Sequence, residues 1–327
     1  MLHLRIVSPQ GSTDRALEIL ECTDSVCNIV VLPGVARRPE GDVILCDVPR
    51  EDASVVLADL RDLGLHHSGS IAVEAIETEL SDRMEQAIEA ARGSPADAVV
   101  WEEVTKRTSE SADLSFSFAL FMVLAALIAS VGIFLDSAIL IVGAMVVGPE
   151  FGPIAGICVA VLQRRRDLAA RSARALGVGF PLAIGAVVVA ALVFRATGVT
   201  AHDFGTKEHA FSKLISQPDF FAFFVAFCAG IAGMLSLTTA KSAALIGVFI
   251  SITTIPAAAN AGISAAYGDW PTFWGSLSQL VVNLSAILLA GTLTLVIERL
   301  MYSRRRRRHV EALAGSAVTA GERAPGD

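Results

Sequence analysis

The 327-residue chain is 53% hydrophobic, with a mean hydropathy of +0.59, which is typical of a polytopic membrane protein. Residues 1–113 hold 22 acidic and 10 basic side chains, whereas residues 114–327 hold 11 acidic and 16 basic ones, so an acidic soluble domain is predicted to precede a membrane domain. Nucleic acid is not an expected partner, because phosphate contacts require clustered cations.

Residues 1–80 alternate short apolar runs with helical patterns and are predicted to form a cytoplasmic domain. The predicted segments are strand Leu2–Ser8, a helix capped by Ser12-Thr13-Asp14, strand Cys27–Leu32, a hairpin connection over Gly34–Gly41, strand Val43–Val48, a helix from Asp52 and strand Ile71–Ile76. This β-α-β-β-α-β order predicts an α+β ferredoxin-like fold. Because the fold hosts many functions, packing or assembly and ligand sensing both stay open.

The N-terminal sequence M-L-H-L-R-I-V-S-P-Q lacks a basic region followed by a long apolar core, so no signal peptide is expected. Residues 81–113 are predicted to be a juxtamembrane helical connector. Six apolar segments follow within residues 114–300, each near the roughly 20 residues that span a bilayer. They lie at about 115–135, 138–162, 175–197, 219–239, 243–266 and 272–298. The tail, residues 301–327, is basic at first and predicted to be disordered after His309.

Lys and Arg concentrate in cytoplasmic loops, so their distribution predicts the orientation of the chain. With both termini inside, the cytoplasmic side holds 14 basic residues and the outer side holds 3. The inner set is Lys106, Arg107, Arg164, Arg165, Arg166, Arg171, Arg174, Lys241, Arg299 and Arg304–Arg308, and the outer set is Arg195, Lys207 and Lys213. The chain is therefore predicted to be a multi-pass protein of the inner (plasma) membrane, with the lipid bilayer as a partner.

The first and fourth spans resemble each other. Residues 118–129 align without gaps on residues 221–232, and six of the twelve positions are identical. Each span leads into another that carries Gly and Pro, with Gly143 and Pro149 in one half and Gly247 and Pro256 in the other. Span one is predicted to run outward and span four inward. The halves would then form a 3+3 inverted repeat, in which interrupted helices meet near the midplane and form the binding site.

The stretch Leu140–Gly156, L-I-V-G-A-M-V-V-G-P-E-F-G-P-I-A-G, is the strongest candidate for that site. Pro149 and Pro153 remove backbone donors, and Gly148 and Gly152 allow close approach of neighbouring backbones. Glu150 places an ionisable group near the middle of the membrane, where charge is costly and marks function. We expect it to carry a proton or to bind a cation. The alternative is a structural carboxyl group that bonds backbone groups freed by the two prolines.

Neutral oxygens in other spans are further candidates. Thr253, Thr254 and Asn260 flank Pro256 in span five, and Asn283 lies in the last span. A threonine can instead bond to its own helix, and an asparagine can join two helices, so each also has a structural interpretation. Asp136, at the predicted outer end of span one, is expected to cap the following helix.

Other chemistry has no support in the sequence. The five cysteines are scattered without metal-ligand spacing, which argues against a disulfide framework and favours a reducing compartment. No nucleophile–base pair, phosphate-binding glycine loop or H-E-x-x-H motif is present. Enzyme activity, a metal site and a cofactor are therefore not expected.

Residues 143–156, followed by a basic loop, resemble the signature of the family catalogued as domain of unknown function 389, which comprises hydrophobic membrane proteins of bacteria and archaea. The stretch from Ala229 through Gly247 to Pro256 is similar to the second signature of that family, and Asn283–Ile287 to its last. Members often carry two prolines where this chain has Pro256 alone. The resemblance covers residues 112–300 and implies the membrane architecture, but no activity or substrate.

The leading hypothesis is a transporter or channel for a small solute or ion, coupled to protons or cations through Glu150. The cytoplasmic domain would regulate it or hold a homo-oligomer together. The alternative is a non-transporting sensor or scaffold whose soluble domain binds a metabolite or partner. A polar cavity that reaches Glu150 would favour transport, and a tightly packed interior would favour the scaffold.

Overall fold

The computed structural model describes residues 1–76, 81–91, 99, 101–200, 209–239 and 253–322. The chain divides into two compact units. The first comprises Met1–Glu102, Thr238–Ala240 and Glu298–Asp327, and the second comprises Glu103–Leu237 and Lys241–Ile297. The predicted connector, residues 81–113, is therefore shared between the units.

A four-stranded antiparallel sheet with helices forms the start of the first unit. The elements are β1 (Leu2–Ser8), α1 (Gln10–Glu21), β2 (Cys27–Arg37), β3 (Glu40–Val48), α2 (Arg50–Asp62), α3 (Leu65–Ser68) and β4 (Ser70–Ala75). The strand order is β2-β3-β1-β4, and Leu4 of β1 pairs with Cys46 of β3 and Val73 of β4. The predicted order of strands and helices is present, with the short α3 added before β4.

Buried and more exposed residues alternate along the central strands, and the buried ones form the core against the sheet. Every second residue of β1 is buried, and β3 buries a matching set, because successive side chains of a strand point to opposite faces. The helices α1 and α2 cover that face with their apolar residues. The larger members of the core are Leu2, Leu4, Ile6, Leu20, Ile44, Val48, Val56, Leu57, Leu60 and Leu65.

Two local predictions for this domain are wrong. The helix α1 begins at Gln10 after Pro9, so Ser12-Thr13-Asp14 lies inside its first turns and does not cap it. The Thr13 hydroxyl instead donates to Asp42 Oδ2 at 2.7 Å. The hairpin turn is only Arg38-Pro39, because β2 and β3 stay paired as far as Arg37 and Glu40.

The remaining elements of the described residues are helices. They are α4 (Asp82–Ala90), α5 (Trp101–Ser111), α6 (Phe116–Phe134), α7 (Ala138–Val147), α8 (Phe151–Gln163), α9 (Arg166–Ala196), α10 (Ala210–Ile215), α11 (Phe220–Thr238), α12 (Thr254–Tyr267) and α13 (Trp270–Glu322). Among the residues described, α6, α9, α11 and α13 are long and apolar enough to cross a membrane. The pair α7 and α8, bent by 49°, is a fifth candidate. These helices fit a membrane protein.

The helices agree with several predicted spans and differ at others. Spans one and four coincide with α6 and α11 to within a residue or two. Helix α9 begins nine residues before the predicted start of span three, at Arg166. Only the part of span five within α12 is described, and residues 243–252 lie outside the described residues. Helix α13 continues past His309 to Glu322, where disorder was predicted, because Ala, Leu and Glu in this tail favour helix.

Small residues allow the central helices of the second unit to pack closely. A Cβ atom added to Gly179 of α9 would lie 2.9 Å from a ring carbon of Phe118 in α6. One added to Gly262 of α12 would lie 2.7 Å from the Cβ of Val187 in α9. Glycine at these positions lets α6, α9 and α12 approach each other, as in the interfaces of membrane helices.

The C-terminal ends of α6, α9 and α12 meet in an aromatic cluster. The Phe134 ring lies 6.1 Å from that of Phe194 and 6.4 Å from that of Tyr267. Nearby, Asp136 contacts His209 Nδ1 at 3.2 Å, and Ser137 rather than Asp136 precedes α7, so the expected cap is wrong. We call this the outer end, since the charge distribution predicts it to be external.

Asp42 generates a prediction about acid stability. It accepts hydrogen bonds from the Thr13 hydroxyl and, at 2.8 Å, from Gly34 N, and these bonds, chiefly that of Thr13, lower the pKa of its carboxyl group. A carboxyl with a lowered folded-state pKa stabilises the fold above its unfolded-state pKa of about 3.9, and this contribution is lost as the pH falls through the folded-state value. We therefore expect Asp42→Asn to raise hydrogen exchange of β1 and β3 amides at neutral pH. The difference from wild type should shrink in acid.

Hydrogen-exchange mass spectrometry of wild type and variant at matched pH values measures this effect. Asp14→Asn, a substitution at an exposed position of α1, is the control and should leave the exchange unchanged. If the exchange of Asp42→Asn exceeds that of wild type by the same amount down to acid pH, the lowered pKa of Asp42 does not stabilise the sheet.

Candidate functional site

The site is built on the break between α7 and α8. Helix α7 ends at Val147, and Gly148 N still donates to Ala144 O at 3.1 Å. Pro149 has no N–H with which to continue the ladder, so the chain leaves the helix there and α8 starts in a new direction. The break predicted for span two is thus present, and Pro149 is its cause.

Pro153 does not break α8. It is the third residue of that helix, where a backbone N–H has no intrahelical acceptor and its absence costs little. Pro256 holds the same position in α12, which begins at Thr254. The comparison of the two halves of the sequence paired Pro149 with Pro256. The positions within the helices show that this pairing is wrong and that Pro153 corresponds to Pro256.

Glu150 lies between the starts of two helices. It directly precedes α8, and its Oε1 accepts a 2.7 Å hydrogen bond from the hydroxyl of Thr254, the first residue of α12. The residue is 3% exposed, and its Oε2 has no hydrogen-bond partner among the residues that the structure describes. The carboxyl group makes no capping hydrogen bond to α8, and its role as a structural carboxyl group stays an alternative.

Helices α8 and α12 lead away from Glu150 toward different ends of the second unit. Helix α12 ends at Tyr267 in the outer end. The last residue of α8, Gln163, donates to Thr105 Oγ1 at 2.8 Å in α5, which precedes α6. Because a helix N-terminus carries partial positive charge, both helices favour negative charge at the point where Glu150 lies.

Thr253 and Asn283 join this site through α13. Thr253 Oγ1 accepts a 2.7 Å hydrogen bond from Asn283 Nδ2, and Asn283 Oδ1 accepts one of 2.8 Å from Gln279 Nε2. The Oε1 atom of Gln279 is buried, and no hydrogen-bond partner for it lies in the described part of the chain. A second carboxamide thus extends the site beyond the residues that the sequence singled out.

Asn260 lies apart from Glu150, roughly 9 Å further along α12 at 1.5 Å per residue. Its Oδ1 accepts from Ser212 Oγ, and its Nδ2 donates to Ser276 Oγ, each at 2.8 Å. Asn260 therefore joins α10, α12 and α13, and it does not contact the carboxyl group as the sequence hypothesis implied.

Sequence analysis missed Ser276 and Gln279, although a signal for both is present. With Thr272 and Asn283 they recur at i, i+4, i+7 and i+11, which places all four on one face of α13. A polar stripe of this period within an apolar span indicates a face turned to the protein interior rather than to lipid.

A cleft of about 370 Å³ borders the site. Its walls are the end of α5, the start of α6, Leu237 and the residues on either side of Glu150, namely Pro149, Phe151 and Gly152. Gly152 packs directly on Ser111 of α5, where a Cβ atom would lie 2.8 Å from the Ser111 carbonyl oxygen. The cleft therefore approaches Glu150 from the predicted cytoplasmic side and stops at its neighbours.

Comparison with known proteins gives a family for this region. The family model described as Domain of unknown function (DUF389) matches residues 145–289, which include the whole of the site from Gly148 to Asn283. An uncharacterized protein of Methanocaldococcus jannaschii is 25% identical over 193 residues. That alignment covers 59% of this chain and 58% of the archaeal protein, so it spans less than two thirds of that relative. No solved structure matches the chain.

Gly148 provides a test of the site's packing. A Cβ atom at this position would overlap Glu150 Oε2 and lie 2.8 Å from Ile255 Cγ1. We expect Gly148→Ala to destabilise the protein by about 1–3 kcal/mol, as overpacking of a close-packed core does. Thermal unfolding in detergent measures the change.

Gly143→Ala in α7 is the matched control, since its added Cβ atom has no neighbour within 4 Å. It should be neutral or stabilising by up to about 1 kcal/mol, because Ala is the better helix former. Equal unfolding midpoints for the two variants would contradict the packing of Glu150 against Gly148.

Proposed function

We propose that this protein, whose residues 145–289 carry a domain of unknown function 389, is a transporter or channel for a small solute or ion. Glu150 would couple that movement to protons or cations. The observation that carries the proposal is the hydrogen bond between Thr254 and Glu150, which joins the starts of α8 and α12 around one buried carboxyl group. Interrupted helices that meet in this way form the binding sites of many secondary transporters.

We propose that six spans form a 3+3 inverted repeat, and the spacing of elements supports it. Four pairs lie 103 or 104 residues apart: Phe118 and Phe221, Phe151 and Thr254 at the starts of α8 and α12, Pro153 and Pro256, and Arg166 and Trp270 at the starts of α9 and α13. A duplicated three-span unit accounts for this constant offset. The halves have diverged at their surfaces, since Phe118 is buried and Phe221 is exposed.

The N-terminal domain, on this proposal, has a ferredoxin-like fold and assembles or regulates the membrane domain. The sheet order β2-β3-β1-β4 supports the fold. The edge strand β2 exposes Val30, Leu32 and Val35, and an apolar edge of this kind favours contact with another chain. This surface is consistent with a homo-oligomer held together in the cytoplasm, at the inner membrane.

Burial of Glu150 does not by itself distinguish a transporter from the alternative, a non-transporting sensor or scaffold. A carboxyl group that is closed to solvent fits a non-transporting scaffold as well as a closed state of a transporter. What favours transport is the cleft, which ends at Pro149 and Phe151, one residue to either side of Glu150. A scaffold has no need for an ionisable group at this position, where charge is costly.

Glu150→Gln tests the proposal in proteoliposomes that contain a trapped pH dye. Sodium, potassium, chloride, phosphate and short organic acids are first supplied one at a time, to find a solute whose gradient drives proton movement in the wild-type protein. We expect Glu150→Gln to lower the proton-coupled flux of that solute by at least about tenfold, because the amide has no exchangeable acid proton.

Glu298→Gln is the matched control, since Glu298 Oε1 also accepts a hydrogen bond from a threonine hydroxyl, that of Thr238 at 2.8 Å. It should retain the flux. Unchanged pH-dependent flux in Glu150→Gln would remove the coupling role, and absence of flux for every solute in the wild type would favour the scaffold.

A further inference from the structure

A line of buried polar side chains runs along α12 and α13 from the outer end toward Glu150. We call it the polar ladder, and its members are Ser212, Asn260, Ser276, Gln279, Asn283 and Thr253. All but Thr253 are buried. Polar side chains inside a membrane domain are costly and mark the paths of substrates and ions, so a continuous set of them requires a functional explanation.

The outer half of the polar ladder starts beside the Asp136–His209 pair. Ser212 lies in α10, three residues after His209, and its hydroxyl donates to Asn260 Oδ1. Asn260 Nδ2 then donates to Ser276 Oγ. These three residues are buried, and their bonds join α10 to α12 and α13.

The inner half consists of Gln279, Asn283 and Thr253, joined by bonds of 2.8 Å and 2.7 Å. Thr254, the next residue after Thr253, donates to Glu150. Among the described residues, three steps have no direct side-chain bond: the Asp136–His209 pair to Ser212, Ser276 to Gln279, three residues apart on one face of α13, and Thr253 to Thr254. The proposed path needs bridging water at each of these steps, and a buried water molecule typically makes about three hydrogen bonds to polar groups.

The open atoms along this route are both acceptors. Among the described residues, Gln279 Oε1 and Glu150 Oε2 are buried oxygens without a hydrogen-bond partner, while the hydroxyl of Thr254 and the amide groups of Gln279 and Asn283 are already donating. For the ionised carboxyl group, the missing partner is therefore a hydrogen-bond donor. Water and hydronium are both donors of this kind.

The residues that the structure places against Glu150 carry no competing charge. In the described part of the chain, the Glu150 carboxyl group bonds to Thr254 and lies beside Gly148, and neither residue titrates. The nearest charged groups along the route are Asp136 and His209 at the outer end, and the cleft on the other side carries Arg107, Glu110 and Asp113.

We propose that protons reach Glu150 from the outer end along the polar ladder, carried by water molecules that its side chains hold. A hydronium ion beside the ionised carboxyl group transfers its proton to Oε2, which leaves a water molecule and a neutral carboxylic acid. This proposal rests on the proposed function and deepens it, since it names the coupling ion as the proton and gives its path.

Proton access can be measured without any solute, by hydrogen–deuterium exchange of the Glu150 carboxylic acid. Its infrared carbonyl band, identified by its loss in Glu150→Gln, shifts when the full-length protein in lipid nanodiscs at acidic pH is moved into D₂O. We expect Ser276→Ala to slow that shift by about fivefold, the factor for one lost hydrogen bond in the path. Gln279→Met, which removes both polar atoms at nearly constant volume, should slow it further.

Ser278→Ala is the matched control, because Ser278 lies two residues after Ser276 and is exposed. It should exchange at the wild-type rate. Equal rates in all variants would overturn the polar ladder as the proton path and would leave the flux test of Glu150→Gln untouched. If only one of the two variants folds, judged by its unfolding midpoint, that variant decides, since each interrupts the path alone.

Discussion

The hydrogen bond from Thr254 to Glu150 is the interaction on which the rest of the site depends. Inside a membrane domain, neither a carboxyl group nor the free backbone groups of a helix start can be satisfied by bulk water. Two helix starts that share one carboxyl group meet part of both requirements, because their partial positive charges face the acidic side chain. Pro149 creates the break, and Gly148 leaves the space that the carboxyl group occupies.

This arrangement places Glu150 between two different environments. On the predicted cytoplasmic side, an open cleft reaches its chain neighbours Pro149 and Phe151. On the outer side, buried carboxamides and hydroxyls continue along α12 and α13 toward Asn260. Glu150 is itself 3% exposed, so the cleft on one side and the buried polar side chains on the other end at a closed carboxyl group.

Local sequence patterns predicted much of this architecture. Short apolar runs predicted the strands, and apolar length together with glycine and proline predicted the broken second span around Glu150. Sequence could not show that Thr254 and Glu150, 104 residues apart, are bonded, because that contact depends on how α12 packs against α6, α7 and α9. Alignment of the two halves also paired Pro149 with Pro256 wrongly, because the sequence does not show where α8 starts relative to Pro149 and Pro153. Gln279 was overlooked because single polar residues in an apolar span carry little signal until their helical spacing is compared.

A double-mutant cycle on Glu150 and Thr254 tests the central claim most directly. Unfolding free energies of Glu150→Gln, Thr254→Val and the double variant are compared with wild type in the same lipid. If the two side chains are bonded, the interaction energy should be about 0.5–3 kcal/mol, as for residues in direct contact. Effects that add to within about 0.3–0.5 kcal/mol, as for distant residues, would contradict the joining of α8 and α12 at this carboxyl group.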